Sequence, residues 1–203
     1  MNVPMTDPSP KAIMRAAAIL RRDGLDIDDR LEWDQAITDH LLASNLLEAP
    51  AGCVAGYWPM RSEADPRPVM VALQERGVQT ALPAMQPRSD GQGREIMFRN
   101  WTPWEPIVPG GFGTLVPTGD AASVHPVCLI VPLLAFDAGC SRLGYGKGHY
   151  DRAIAALRQR GPLCAIGIAY AAQQVAEVPV EAHDAVLDAV VTQNGVIKPL
   201  HRP

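Results

Sequence analysis

An α/β fold is predicted: one domain, with an open and mainly parallel sheet sandwiched by helices. Three observations carry it. A strand-like run, a helix and a second strand-like run follow one another over 52–57, 68–76 and 78–82. The same order returns over 127–131, the segment starting at 148, and 163–169. Strand, helix, strand at this spacing makes a right-handed parallel crossover. The chain of 203 residues, 47% of them hydrophobic, has neither an internal repeat nor a linker that would split it. Residues 1–203 are therefore expected to fold as one unit around one core, with 1–9 flexible.

Composition removes several classes of function. The formal net charge of −4 argues against general nucleic-acid binding. It also means that any anionic ligand must be met by a local cluster of Lys and Arg. No stretch is long and apolar enough to span a membrane. The first ten residues are polar and proline-rich, with no signal-peptide core, so a cytoplasmic protein is expected, acting as a monomer. Of the four cysteines, Cys53, Cys128 and Cys164 fall in apolar runs and read as buried free thiols. No Cys-x-x-Cys spacing points to a metal. Cys140 lies in a functional loop, with no histidine to pair it, and reads as incidental.

In chain order, Ser9 and Pro10 suit the cap and first turn of a helix that runs to about Arg22 and stops before Gly24. Its apolar face is read as Ile13, Ala17 and Leu20. Lys11 and Arg15 are four apart and share a face; alone they read as a solvated one. A second helix is expected over 28–47, with Leu31, Ile37, Leu41, Leu42 and Leu46 as its apolar positions. The strand at 52–57 delivers a loop, 58–66, that carries Glu63; by itself this is an exposed loop acid. After the helix at 68–76 and the strand at 78–82, residues 86–93 are turn-like and 95–101 form a strand ending in Trp101. That Trp is either core packing or a stacking platform for a flat ligand. Residues 102–122 are rich in Pro and Gly and are expected to hold little regular structure. Beyond the strands at 127–131 and 163–169, a helical turn is expected over 171–178, a last strand over 185–192, and a tail or edge strand over 195–199.

The most informative stretch is Arg142-Leu143-Gly144-Tyr145-Gly146-Lys147-Gly148-His149-Tyr150-Asp151-Arg152. Strand, long loop, glycine turn and helix follow in that order. Glycines let backbone approach a phosphate closely, and the first free N–H groups of a helix point at it. Lys147 and Arg142 add charge, and Asp151 can hold a divalent metal on phosphate oxygens. The pattern is neither the dinucleotide fingerprint nor a Walker A loop. A solvated surface turn has the same composition. Two features favour a site: long ordered loops are usually functional, and this one lies beyond the carboxyl end of a strand.

Several motifs in the right order resemble one family. Val131-Pro132-Leu133-Leu134-Ala135-Phe136-Asp137 with the glycine stretch is similar to the signature of the 5-formyltetrahydrofolate cyclo-ligases, also called methenyltetrahydrofolate synthetases. Lys11 and Arg15 match the basic pair of that family's first helix, and Tyr57 through Pro66 its substrate loop. Phe98-Arg99-Asn100-Trp101, Gly167 through Gln173, Val178-Pro179, His183-Asp184 and Val191-Thr192 are also similar. The fold so implied is the open sandwich shared with some isomerases and CoA transferases.

The resemblance implies a reaction: ATP, with magnesium, drives closure of 5-formyltetrahydrofolate to 5,10-methenyltetrahydrofolate, releasing ADP and phosphate. It also implies roles. Lys11, Arg15, Arg142, Leu143, Gly144, Tyr145, Gly146, Lys147, Gly148, His149 and Tyr150 would hold ATP. Trp58, Glu63, Trp101, Tyr145, Gly146, Lys147, Gly148 and His149 would hold the folate. Glu63, Lys147 and Tyr145 would serve catalysis, and Asp151 and Asp188 would hold the metal. Arg152 is left outside the site, paired with an acid in its helix. His149 stands where the family most often has tyrosine. A non-catalytic nucleotide- or folate-binding regulator of the same fold is the alternative from another class. An ATP-dependent enzyme acting on a different amide or heterocycle is a second.

Overall fold

The structure is a computed structural model and describes residues 9–47, 52–110 and 114–199. The expected flexible segment 1–9 thus lies outside the described residues except for Ser9. That residue caps α1 (Pro10–Asp23), accepting from the Ala12 amide, and Gly24 closes the other end. α2 (Ile27–Ala43) is shorter than expected. Ser44 turns the backbone extended, and residues 45–47 form a separate 3-10 turn. β1 (Cys53–Ala55), α3 (Arg67–Glu75) and β2 (Thr80–Pro87) make the first crossover, with β1 and β2 parallel. β3 (Arg94–Asn100) returns antiparallel to β2. The region expected to lack regular structure contains an antiparallel pair, β4 (Ile107–Pro109) and β5 (Leu115–Pro117). β6 (Ser123–Val124) leads into β7 (Pro126–Val131), after which the long loop folds into a small hairpin of β8 (Ala135–Phe136) and β9 (Arg142–Leu143). α4 (His149–Arg160), β10 (Cys164–Ile168), β11 (Ala189–Thr192) and β12 (Gly195–Ile197) complete the chain; residues 171–173 form the short turn expected there.

One eight-stranded sheet, in the order β12-β11-β10-β7-β1-β2-β3-β6, organises all of this. Its centre, from β11 to β2, is parallel, and its edges are antiparallel. Alternate residues point to opposite faces. Val54, Cys128, Ile130, Ile166 and Ile168 meet Ile37 and Leu41 of α2 and Met70 and Leu73 of α3 on one face. Ala55, Leu129, Val131, Ala165 and Val190 meet Ala153, Ile154 and Leu157 of α4 on the other. This is the helix-flanked, mostly parallel sheet that the two crossovers foretold.

α1 is the exception. It packs not on the sheet but on the loop hairpin, with Ala18 against Leu134, Ala135, Leu143 and Val178. The apolar face expected for it is therefore wrong: Ile13 and Leu20 are exposed, and the buried positions are Ala18 and Arg22. A face judged only by hydrophobic residues misses a helix whose buried stripe contains an arginine. Cys53, Cys128 and Cys140 are buried and all four cysteines are free, as expected. Burial pushes the Cys140 thiol up to about 11, which suits an inert residue.

One buried acid predicts a pH effect. Asp34 of α2 accepts from the Asp65 amide and the Tyr170 hydroxyl. Burial, with the nearby Asp65 charge, raises its pKa to about 6 against those hydrogen bonds. A raised carboxyl binds its proton more tightly when folded, so its contribution is best below the unfolded pKa near 4 and is lost as pH rises through about 6. Asp34→Asn keeps the acceptor oxygen and drops the charge. Discounted for partial exposure, it should add about 1 kcal/mol near pH 7, or about 2–4 °C in Tm, and nothing near pH 4. Calorimetric melts of both proteins across that range check it.

Candidate active site

A cleft of about 780 Å³ opens where β1 and β7 end. Ligands of open α/β sheets bind at the carboxyl ends of strands, so this is the expected place. The loop after β1 supplies Tyr57, Trp58, Met60 and Glu63, and the loop after β7 supplies Pro132 and residues 142–151. α1 contributes Lys11 and Arg15, and β5 with the middle of β2 forms the remaining wall.

The glycine loop and α1 are built against each other. Arg15 donates its Nε to the Gly144 carbonyl at 2.9 Å. Gly146 has φ +86°, and a Cβ there would lie 3.0 Å from Arg15 Cζ. Both backbone conformation and space therefore require glycine at this position. Gly148, at φ +62°, is the left-handed residue that turns the loop into α4. Lys11 is engaged by acids: Nζ lies 2.6 Å from Asp184 and 2.9 Å from Glu181. Although burial acts in the opposite sense on each group, the pair holds Asp184 below the usual carboxylate range and raises Lys11.

Asp151 sits in the first turn of α4. Its Oδ1 accepts from Arg142 Nη2 at 2.8 Å and from the Ala185 amide at 3.0 Å. Arg142 is itself buried, and its Nη1 donates to the Ala185 carbonyl. The structure thus gives Arg142 the task of fixing Asp151. Asp188 is not brought to this place. It receives the Ala165 amide and Arg158 Nη2, from the far end of α4. Asp151 and Arg158 are seven residues apart, about 10 Å along a helix. The second metal-ligand expectation therefore fails on geometry.

Glu63 is 5% exposed, which corrects the reading of an exposed loop acid. Its Oε2 accepts from the Met60 amide at 2.9 Å and its Oε1 from the Tyr145 hydroxyl at 3.1 Å. Burial raises its pKa, and those hydrogen bonds and Arg22 oppose the rise. Tyr145 is thus a bridge between the glycine loop and the loop after β1. Trp58 borders the cleft, with the Arg67 guanidinium 4.8 Å from its ring centroid. Trp101 does not border it. It is buried in the core, edge-on to Trp58 at 6.2 Å between centroids, and so backs the platform rather than forming it. Leu143 borders the cleft but turns its side chain into the cluster around Ala18. Lys147 and Tyr145 are exposed, and Tyr150 is half-buried at the cleft wall. His149 is drawn below its ordinary pKa, chiefly by burial and then by Arg152 and Lys147. Arg152 bonds to the Lys147 carbonyl and His149 Nδ1, not to an acid of its helix.

Sequence reasoning missed Arg22, Ser62 and the β5 wall. Arg22 Nη2 donates to the Tyr145 hydroxyl at 2.8 Å and Nε to Ser62 Oγ at 3.0 Å. The available signal was its spacing, one turn beyond Ala18 on the buried stripe of α1.

So concave a surface, polar at its base and fed by loops from strand ends, defines an α/β enzyme that acts on a small molecule. Comparison with known proteins narrows the class. The 5-formyltetrahydrofolate cyclo-ligase family matches residues 9–193. The 5-formyltetrahydrofolate cyclo-ligase of Escherichia coli K12 is 34% identical over 150 residues, 72% of this chain and 80% of its own. That of Haemophilus influenzae is 30% identical over 156 residues, 74% of this chain and 80% of its own. The 5,10-methenyltetrahydrofolate synthetase of Aquifex aeolicus superposes with a TM-score of 0.76 at 26% identity, over 95% of this chain and 94% of that one. The chain belongs to the 5-formyltetrahydrofolate cyclo-ligase family and is a ligase of folate metabolism.

Proposed function

We propose that the chain closes 5-formyltetrahydrofolate to 5,10-methenyltetrahydrofolate at the expense of ATP, as a cytoplasmic monomer. A formamide oxygen is a poor leaving group. Transfer of the γ-phosphoryl group to that oxygen, releasing ADP, turns it into one. N10 then attacks the activated carbon, the C–O bond breaks, and phosphate departs. The protein's part in such chemistry is positioning and charge compensation.

One observation carries the reading: the Tyr145 hydroxyl ties the glycine loop to the buried Glu63 across a single cleft that Lys11 and Arg15 also border. Backbone amides of 144–148 and Arg15 would cradle the phosphates. Glu63 would accept from ring N–H groups of the reduced pterin, with Trp58 against its face. Tyr145 would stand where the two substrates meet.

A magnesium ion arriving with the nucleotide would neutralise phosphate charge and be held by Asp151. The donors present fit that role. No cluster of three or more His, Cys, Asp or Glu able to hold a metal occurs among the described residues. Magnesium on a nucleotide needs only one or two carboxylates, and takes its other oxygens from phosphate and water.

The direct test mixes protein, ATP, magnesium and 5-formyltetrahydrofolate and follows the near-ultraviolet absorbance of the methenyl product. Folded protein that binds both ligands without product would favour the regulator instead. Arg15→Ala should raise the ATP dissociation constant by about one to two orders of magnitude, since a charge-assisted contact contributes about 1.5–3 kcal/mol. Its denaturant midpoint should also fall, by about 1 kcal/mol, because the Gly144 contact goes with it. Lys11→Ala should do less to ATP affinity, because Asp184 and Glu181 already compensate that charge. Calorimetric titration of both variants beside a melt decides this; equal ATP affinity for wild type and Arg15→Ala would count against the phosphate assignment.

A further inference from the structure

Arg22 is the most buried charged side chain described, at 1% exposure. Burying a guanidinium is unfavourable unless its donors are met, and a helix face toward the core would be more stable with an apolar residue. Its partners are unusual. Nε and Nη2 are spent on two hydroxyls, Ser62 Oγ and Tyr145 Oη. Ser62 in turn donates to the Asp23 carboxylate. Nη1 has no hydrogen-bond partner, although it is fully buried, and it points at Glu63, 4.0 Å from Oε1. The guanidinium carbon lies 5.9 Å from the Tyr145 ring centroid, alongside the bridge between the two halves of the cleft.

Glu63 needs such a neighbour. The groups that face it are the Met60 amide from its own loop, the Tyr145 hydroxyl from the glycine loop, Tyr57 after β1, Tyr150 of α4, and Arg22 of α1. The three tyrosines are neutral phenols. Arg22 brings the positive charge among them. A protonated Glu63 would offer a donor where ring N–H groups need an acceptor, so it must stay a carboxylate in a buried place that favours the acid form.

We infer that Arg22 is a positioning residue of the folate half of the site: it keeps Glu63 ionised and holds the Tyr145 hydroxyl against it. The inference rests on the assignment of Glu63 to the pterin made above. Arg22 touches neither substrate in this account; it acts through Glu63 and Tyr145. α1 then serves both substrates, Arg15 on the loop that cradles ATP and Arg22 behind the acid that reads the folate.

The test uses Arg22→Met, which removes the charge at similar length, and Arg22→Lys, which restores it. The Glu63 carboxyl carbon is followed by NMR across pH in ligand-free protein, assigned with Glu63→Gln. Wild type should show a carboxylate at pH 7. In Arg22→Met the titration should move up by about one pH unit or more, and in Arg22→Lys by less than half of that. The acid limb of kcat/KM for 5-formyltetrahydrofolate should move up in parallel. At neutral pH the loss in Arg22→Met should be about tenfold or more, recovering as the solution becomes alkaline, while KM for ATP stays within about twofold. A Glu63 titration that does not move in Arg22→Met overturns the inference. So does loss of activity at every pH with an unmoved limb, which marks a structural role. If Arg22→Met does not fold, a neutral Glu63 in wild type at pH 7 overturns it just as well. The titration needs no turnover, so wild-type protein that makes no product would instead overturn the proposed reaction.

Discussion

Asp151→Asn is expected to lower turnover by about two to three orders of magnitude, the largest single effect among the site residues. The substitution is nearly isosteric and keeps an oxygen for Arg142 Nη2 and the Ala185 amide. What it removes is the negative charge that would meet magnesium on the nucleotide. Loss of one such interaction in the transition state accounts for about 3–4 kcal/mol, hence the fold-change. The structure adds a stability term that the sequence did not foresee. The Arg142 side chain is only 4% exposed, and Asp151 is its carboxylate partner at 2.8 Å. Removing one charge of a buried pair is destabilising, moderated here by the retained hydrogen bonds. We expect about 1–3 kcal/mol lost in a urea melt. The decisive comparison is single-turnover rate at saturating magnesium, below the variant's melting range. Wild-type turnover at limiting magnesium would sink the metal assignment.

Glu63→Gln is expected to lower kcat/KM for 5-formyltetrahydrofolate by about one to two orders of magnitude while leaving ATP affinity within about twofold. The Gln side chain can still accept from Tyr145 or from the Met60 amide, but not from both without turning its NH₂ toward the other donor. It also loses the charge that a pair of ring N–H groups would face, and charged hydrogen bonds contribute about 1.5–3 kcal/mol each. Binding of each ligand alone, by calorimetry, separates the two halves of the cleft. Equal losses for both ligands would mean that the loop after β1 has collapsed and that Glu63 holds structure rather than substrate.

The sequence disclosed most of the sheet and about half of the site, and the division has physical causes. Strands 53–55, 126–131 and 164–168 were legible because buried parallel strands are continuous apolar runs. The glycine loop was legible because its residues are constrained locally, as the positive φ values of Gly146 and Gly148 show. Trp101 and Asp188 were misplaced because strand ends place residues on either side of a sheet, and only tertiary packing decides which. Arg22 escaped because its role depends on Ser62 and Tyr145, 40 and 123 residues away. The true face of α1 escaped with it, since the surface it covers is a loop hairpin rather than the sheet.

That docking of α1 has a consequence for how the molecule comes into being. The helix is made first on the ribosome, yet its anchors are Leu134, Leu143 and Val178, and Lys11 finds Asp184 across 173 positions. Contacts of such sequence separation form late, because a long loop must close before they are rewarded. The sheet from β1 to β10 can assemble while α1 is still unattached. The phosphate-binding half of the cleft is thus the last part to be completed, and a nascent chain carries Glu63, Lys147 and Asp151 without the helix that aligns them. Slow docking of α1 should then appear as a lag between recovery of sheet structure and recovery of nucleotide binding when the denatured protein is refolded.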